Sequence, residues 1–70
     1  MKPPKTPTLA QLRRRFPEWE IVEYRHGGMN RIDATSRSGD GKSITLWSGS
    51  RAEQRRILWA ALEAWEKEAK

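Results

Sequence analysis

Seventy residues, 14 Lys or Arg against 9 Asp or Glu (net charge +5) and no cysteine describe one small basic domain without disulfides, and a single His argues against a structural zinc site. A chain this short buries only about 60% of its unfolded surface, so four Trp, with Phe16 and Tyr24, must supply much of the core. No apolar run is long enough for a membrane span, the start Met1-Lys2-Pro3-Pro4-Lys5 lacks the apolar stretch of a secretory signal, and a cysteine-free chain fits the reducing cytoplasm.

Residues 1–7, MKPPKTP, hold three prolines and read as a flexible basic Pro-rich arm, leaving 8–70 as a single domain. Thr8-x-x-Gln11 has capping-box spacing. Leu9, Leu12 and Phe16 then form one apolar stripe at i, i+3 and i+7, and Pro17 ends the helix. Arg14 faces away from the stripe, with Arg13 and Arg15 flanking it. Trp19–Arg25, rich in aromatic and β-branched residues, reads as a strand. Gly27-Gly28 makes a turn, and Asn30–Ser36 places Ile32 and Ala34 on one face. Arg37–Lys42, RSGDGK, is a second turn, and Ser43–Trp47 alternates again. Two short turns imply an antiparallel meander.

Ser50-x-x-Glu53 is a second capping box, opening a helix that runs to the end of the sequence. Gln54, Ile57, Leu58, Ala61, Leu62, Trp65 and Ala69 share one face. Glu63/Lys67 and Glu66/Lys70 are i, i+4 pairs on the solvent side. The predicted fold is α+β: a three-stranded antiparallel meander with two helices packed on one face, in the order α-β-β-β-α. Its expected core is Leu9, Leu12, Phe16, Ile21, Ile32, Ala34, Ile44, Leu46, Leu58, Ala61, Leu62 and Trp65. Trp19/Ile21 and Val22/Tyr24 lie on opposite faces of the first strand, and the sequence leaves open which face is buried.

Gly39-Asp40-Gly41-Lys42-Ser43 has the ending of a phosphate-binding loop, but Ser36 stands where that loop needs glycine, and strands flank it. It reads as a hairpin turn. His26 has no cysteine partner, and Glu18, Glu20 and Glu23 on a strand face lack the cleft that acid–base work requires. No catalytic group, cofactor, metal or small-molecule substrate is therefore expected.

Charge is distributed unevenly. Residues 1–16 carry +5 with no acid, 17–50 carry −1 and 51–70 carry +1. That asymmetry favours a polyanionic partner, although a basic surplus also serves solubility. Arg13-Arg14-Arg15 is one basic cluster. Arg51, Arg55 and Arg56 are another, set against the dipole at the last helix's start, where the sequence offers no stabilising reason for cations. Trp59 lies about 100° round from Leu58, off the apolar stripe. With Tyr24 and Trp47 on the uncovered sheet face, it suggests a protein interface or a homodimer.

Two likenesses attach to these segments. Pro17-Glu18-Trp19-Glu20-Ile21-Val22-Glu23, Ser50-Arg51-Ala52-Glu53-Gln54 and Ala60-Ala61-Leu62-Glu63-Ala64, within the same element order, resemble a double-stranded RNA-binding domain. The resemblance implies RNA contacts at Arg13 and Arg14, at Arg25 and His26, and at Arg51, Arg55 and Arg56. The loop Arg25-His26-Gly27-Gly28-Met29 differs from that family's Gly-Pro-x-His, and its paired lysines are missing. Leu12-Arg13-Arg14-Arg15-Phe16-Pro17-Glu18-Trp19-Glu20-Ile21 is also similar to small actinobacterial and phage-borne proteins, a likeness that implies no activity. The leading expectation is a non-catalytic nucleic-acid-binding protein that contacts the phosphate backbone through Arg13, Arg14, Arg25, His26, Arg51, Arg55 and Arg56. The alternative is a protein-interaction module, such as a phage-type modulator of a host protein or a homodimer, using Tyr24, Trp47 and Trp59.

Overall fold

Helix α1 (Leu9–Arg15) begins where the sequence predicts, because Thr8 and Gln11 close a capping box: Thr8 Oγ1 accepts from the Gln11 N–H at 3.1 Å and Gln11 Oε1 accepts from the Thr8 N–H at 2.8 Å. In the computed structural model, which describes residues 4–68, β1 (Trp19–His26), β2 (Met29–Ser36), β3 (Ser43–Ser48) and α2 (Arg51–Glu68) follow. The strands form one antiparallel sheet in the order β1-β2-β3. Gly27 and Gly28, at φ 54° and 87°, make the two-residue hairpin turn, whose paired positive φ values match the twist of the flanking strands. Met29, expected in the turn, therefore starts β2 opposite His26.

The register settles which face is covered. Trp19 and Ile21 stand with Ala34 and Ile32, and with Ile44 and Leu46, beneath the helices. Val22 and Tyr24 lie on the open face. Leu12, Phe16, Trp19, Ile21, Ile32, Ala34, Leu58, Trp59 and Leu62 form the buried core. Leu9, Ile44, Leu46 and Trp65 are only partly buried against it. Trp65 stacks on Trp19 with centroids 5.1 Å apart.

Four expectations need correction. Trp59 is not an exposed interface residue: it is 5% exposed and meets Phe16 edge-on, at a centroid distance of 5.4 Å. The buried arc of α2 is wider than one stripe, because the sheet lies beneath it and α1 beside it. Ile57, expected in the buried face, is 47% exposed, and Ala61 is half-buried. Glu63 and Glu66, expected on the solvent side, turn instead to Arg15 of α1, at 3.8 and 3.0 Å. Pro7, read as the end of the arm, is fully buried. Lys2, Ala69 and Lys70, used in the arm, the stripe and a pair, lie outside the described residues.

Gln54 is the one buried polar residue of the described core. Its Nε2 donates to Asn30 O at 2.8 Å and Leu46 O at 3.0 Å, which seats α2 across β2 and β3. The buried Trp59 Nε1 has no hydrogen-bond partner, and an orphaned buried N–H costs about 1–3 kcal/mol. Trp59→Phe removes that orphan while leaving a modest cavity, so the two effects offset and stability should change by less than about 1 kcal/mol. Trp59→Ala should cost about 3–5 kcal/mol. Urea unfolding of the two variants checks the contrast, and equal losses would refute it.

Candidate nucleic-acid interface

The two basic clusters, far apart in sequence, meet at the outer edge of β1. Glu23, on the covered face of that strand, has a side chain only 13% exposed. Arg55 donates to its two carboxylate oxygens at 2.6 and 2.9 Å, and Arg51 Nε lies 3.9 Å away. The two hydrogen bonds from Arg55 hold the Glu23 carboxyl below its ordinary range against the opposing effect of burial. The charges of Arg55, Arg51 and Arg13 reinforce that shift. Glu23 thus supplies the stability rationale that the sequence left missing for cations at the start of α2.

Arg13 approaches from α1. Its Nε and Nη2 donate to Ile21 O at 3.1 and 2.9 Å, capping an outward carbonyl of the edge strand. Arg51 also reaches Tyr24 O, at 3.4 Å. Arg13, Arg51 and Arg55 therefore bring three positive charges to one carboxylate. Arg25 shares the covered-side parity of Glu23 at the end of β1, and its side chain is exposed. Arg14 and Arg56 are exposed on α1 and α2. Among the described residues, Arg14, Arg25 and Arg56 have no hydrogen bond or ion pair holding them. A guanidinium presents five N–H donors in a fixed fork, so Arg13 and Arg55 retain donors beyond those used internally.

His26 does not join this edge. It belongs to the open face, where its ring lies 5.9 Å from Trp47. That face carries a cross-strand row, Tyr24–Arg31–Trp47. The Arg31 guanidinium sits 4.5 Å from the Tyr24 ring centroid and 5.7 Å from that of Trp47. Asp33 anchors it at 3.1 and 2.7 Å. Tyr24 and Trp47 are 42% and 51% exposed, and Met29 beside them is 42% exposed. The sequence did not single out Met29; its shift from turn to strand put it there.

A groove between the 37–42 loop and the end of α2 has Trp19 and Trp65 in its lining and charges of both signs, including Arg15, Arg37, Asp40 and Glu66. Among the described residues no group of three or more His, Cys, Asp or Glu is placed to hold a metal ion. No helix among them is long and apolar enough to cross a membrane. Comparison with protein families, curated proteins and solved structures finds no match for the chain.

A carboxyl held below its ordinary range by folding stabilises the fold above that range, and the contribution disappears as pH falls through the depressed value. Glu23→Gln should therefore lower stability at pH 7 by about 1–3 kcal/mol and flatten the loss of stability on acidification. Urea midpoints measured from pH 7 down to 2 check this; an unchanged pH slope in the variant would remove Glu23 from the account.

Proposed function

We propose that this domain is a non-catalytic nucleic-acid-binding module that holds a phosphate backbone along the β1 side, largely without reading sequence. The observation that supports this is the convergence of Arg13 from α1 with Arg51 and Arg55 from α2 around the single carboxylate of Glu23. Exposed Arg14, Arg25 and Arg56 extend the same basic side. Phosphate contacts position a protein but carry no base information, and guanidinium forks suit phosphate oxygens. Arginines already held by Glu23 and Ile21 O are partly ordered before binding, which lowers the entropy lost on contact. The likeness to double-stranded RNA-binding domains points to the same arginines, and the cytoplasm is the compartment in which such a protein would act.

A gel-shift titration with duplex RNA and duplex DNA tests the reading. With about four phosphates neutralised, affinity should fall roughly 10²-fold between 50 and 200 mM salt. Arg14→Ala, Arg25→Ala and Arg56→Ala should each reduce the salt slope by about 1 and leave thermal stability unchanged. Arg51→Ala and Arg55→Ala should weaken binding and also loosen the fold, because both side chains hold Glu23. No retention of either duplex at low salt would end the proposal.

The open sheet face favours a second reading, a protein-interaction surface built on Tyr24, Trp47 and Met29. Trp59 drops out of it because it is buried. Arg31→Ala separates the readings: loss of a partner that survives high salt and nuclease would favour the protein interface, whereas an unaltered nucleic-acid affinity agrees with the β1-side assignment.

A further inference from the structure

The two edges of the sheet are treated differently. At β1 the outward backbone is partly occupied, since Ile21 O accepts from Arg13 and the Trp19 N–H donates to Phe16 O at 3.1 Å. At β3 it is not. The Ser36 N–H bonds Lys42 O at 3.0 Å, which sets the alternation of the β2–β3 ladder. Ile44, Leu46 and Ser48 then point their backbone groups into the sheet, and Ser43, Thr45 and Trp47 point theirs outward. None of these outward groups has a partner among the described residues. Ser43–Ser48, SITLWS, also lacks every device that blunts an edge: it holds no charge, proline or bulge.

The helix above this edge presents an apolar middle, with Glu53 and Glu68 near its two ends on the same flank. Arg55, Trp59, Glu63 and Glu66 use one flank of α2 on α1 and β1. At 100° per residue, Ile57, Ala60, Ala61 and Ala64 occupy the opposite flank, over β3. Ile57 is 47% exposed there.

We infer that β3 is a homodimer interface, where two copies pair antiparallel through their β3 edges about a two-fold axis at Thr45, making one sheet of twice the width. The strand is self-complementary in that register. Thr45 faces the partner's Thr45 and Ser43 faces the partner's Trp47, each exchanging outward N–H and C=O groups. On the covered face Ile44 packs beside the partner's Leu46. The α2 flanks meet over the seam, with small residues around Ile57 permitting close approach.

The self-complementary register selects a second copy as the occupant. Two chains of +5 repel each other least at the uncharged β3 edge, on the side opposite Arg13, Arg51 and Arg55. A two-fold contact uses the same β3 edge on both copies and so closes the assembly at two, while Arg13, Arg51 and Arg55 crowd the remaining β1 edge with like charge. This inference does not rest on nucleic-acid binding.

Sedimentation of the nuclease-treated protein over a range of about 1–300 μM is expected to show a monomer–dimer equilibrium, with dimer as the largest species. The chain has no cysteine, so Thr45→Cys supplies one thiol per copy. Directly opposed residues of this kind have Cα atoms about 5.5 Å apart, within disulfide reach. Oxidation should cross-link Thr45→Cys in high yield and leave Thr35→Cys, on the open face of β2, largely monomeric. Thr45→Pro removes the central outward N–H, and Ile57→Lys sets like charges across the seam. Each should weaken dimerisation at least tenfold, and Ile57→Lys, at an exposed position, keeps the test valid if the proline variant fails to fold. A strictly monomeric profile, or a dimer unaffected by both substitutions, would overturn the inference. A gel shift with a monomeric protein would still stand, so the two proposals fail separately.

Discussion

Three guanidinium groups cannot share one edge of a small domain without a counter-charge, and Glu23 is that counter-charge. Its side chain is mostly covered, it belongs to the middle of β1, and it faces Arg55 and Arg51 of α2 and the field of Arg13 from α1. One carboxylate therefore relates all three elements that meet on that side. Because the pair with Arg55 is bidentate, it fixes orientation as well as distance. The start of α2 is unfavourable for cations by its dipole alone; with Glu23 beneath it, the same end becomes the place where a concentrated positive charge is tolerated. The positive charge concentrated on this edge and the contacts that join α1, β1 and α2 are thus carried by the same side chains.

The opposite half of the sheet is built on a different principle. Gln54 satisfies carbonyls of β2 and β3 from above, and the neighbouring strand carries no charge at all. The molecule is divided across its width, with cations and a partly capped backbone on the β1 side and an unpaired, neutral, β-branched and aromatic edge on the β3 side. The open face between them holds Arg31 between Tyr24 and Trp47. There the aromatic faces partly satisfy the cation, and Asp33 neutralises it.

What was legible in the sequence was local. Thr8-x-x-Gln11 announces a capping box because both partners lie within one turn, and Gly27-Gly28 announces a hairpin because two adjacent positive φ values favour glycine. The alternation of Ile32 with Ala34 and of Ile44 with Leu46 gives the covered face directly. The order α-β-β-β-α follows from these signals. What was hidden depends on residues far apart. Arg55 and Glu23 are 32 positions apart, and no spacing rule links them, so the arginines looked surplus. Trp59 looked exposed because a helical wheel assumes one neighbour, whereas α2 has a sheet below and Phe16 at its flank. Ile57 looked buried for the same reason: the Trp59 flank of the helix is turned inward against Phe16, which leaves Ile57 on the outer flank over β3. Arg13, Arg51 and Arg55 stand out in the sequence by charge and by a family resemblance, but their convergence on one edge is a property of the fold.

The order of elements along the chain has a consequence for how the molecule is put together. Both strand pairings join sequence neighbours through short connections, so little chain entropy opposes them. The helix that covers the sheet follows all three strands, and its contacts span up to 51 residues, as in Arg15 with Glu66. Until that helix docks, Ile21, Ile32 and Ala34 form an uncovered apolar surface bounded by an uncapped β3 edge. A chain cut before Arg51 is therefore not a smaller version of the domain but a sticky sheet, and the final helix acts within the molecule as the cover that keeps its own strands from aggregating.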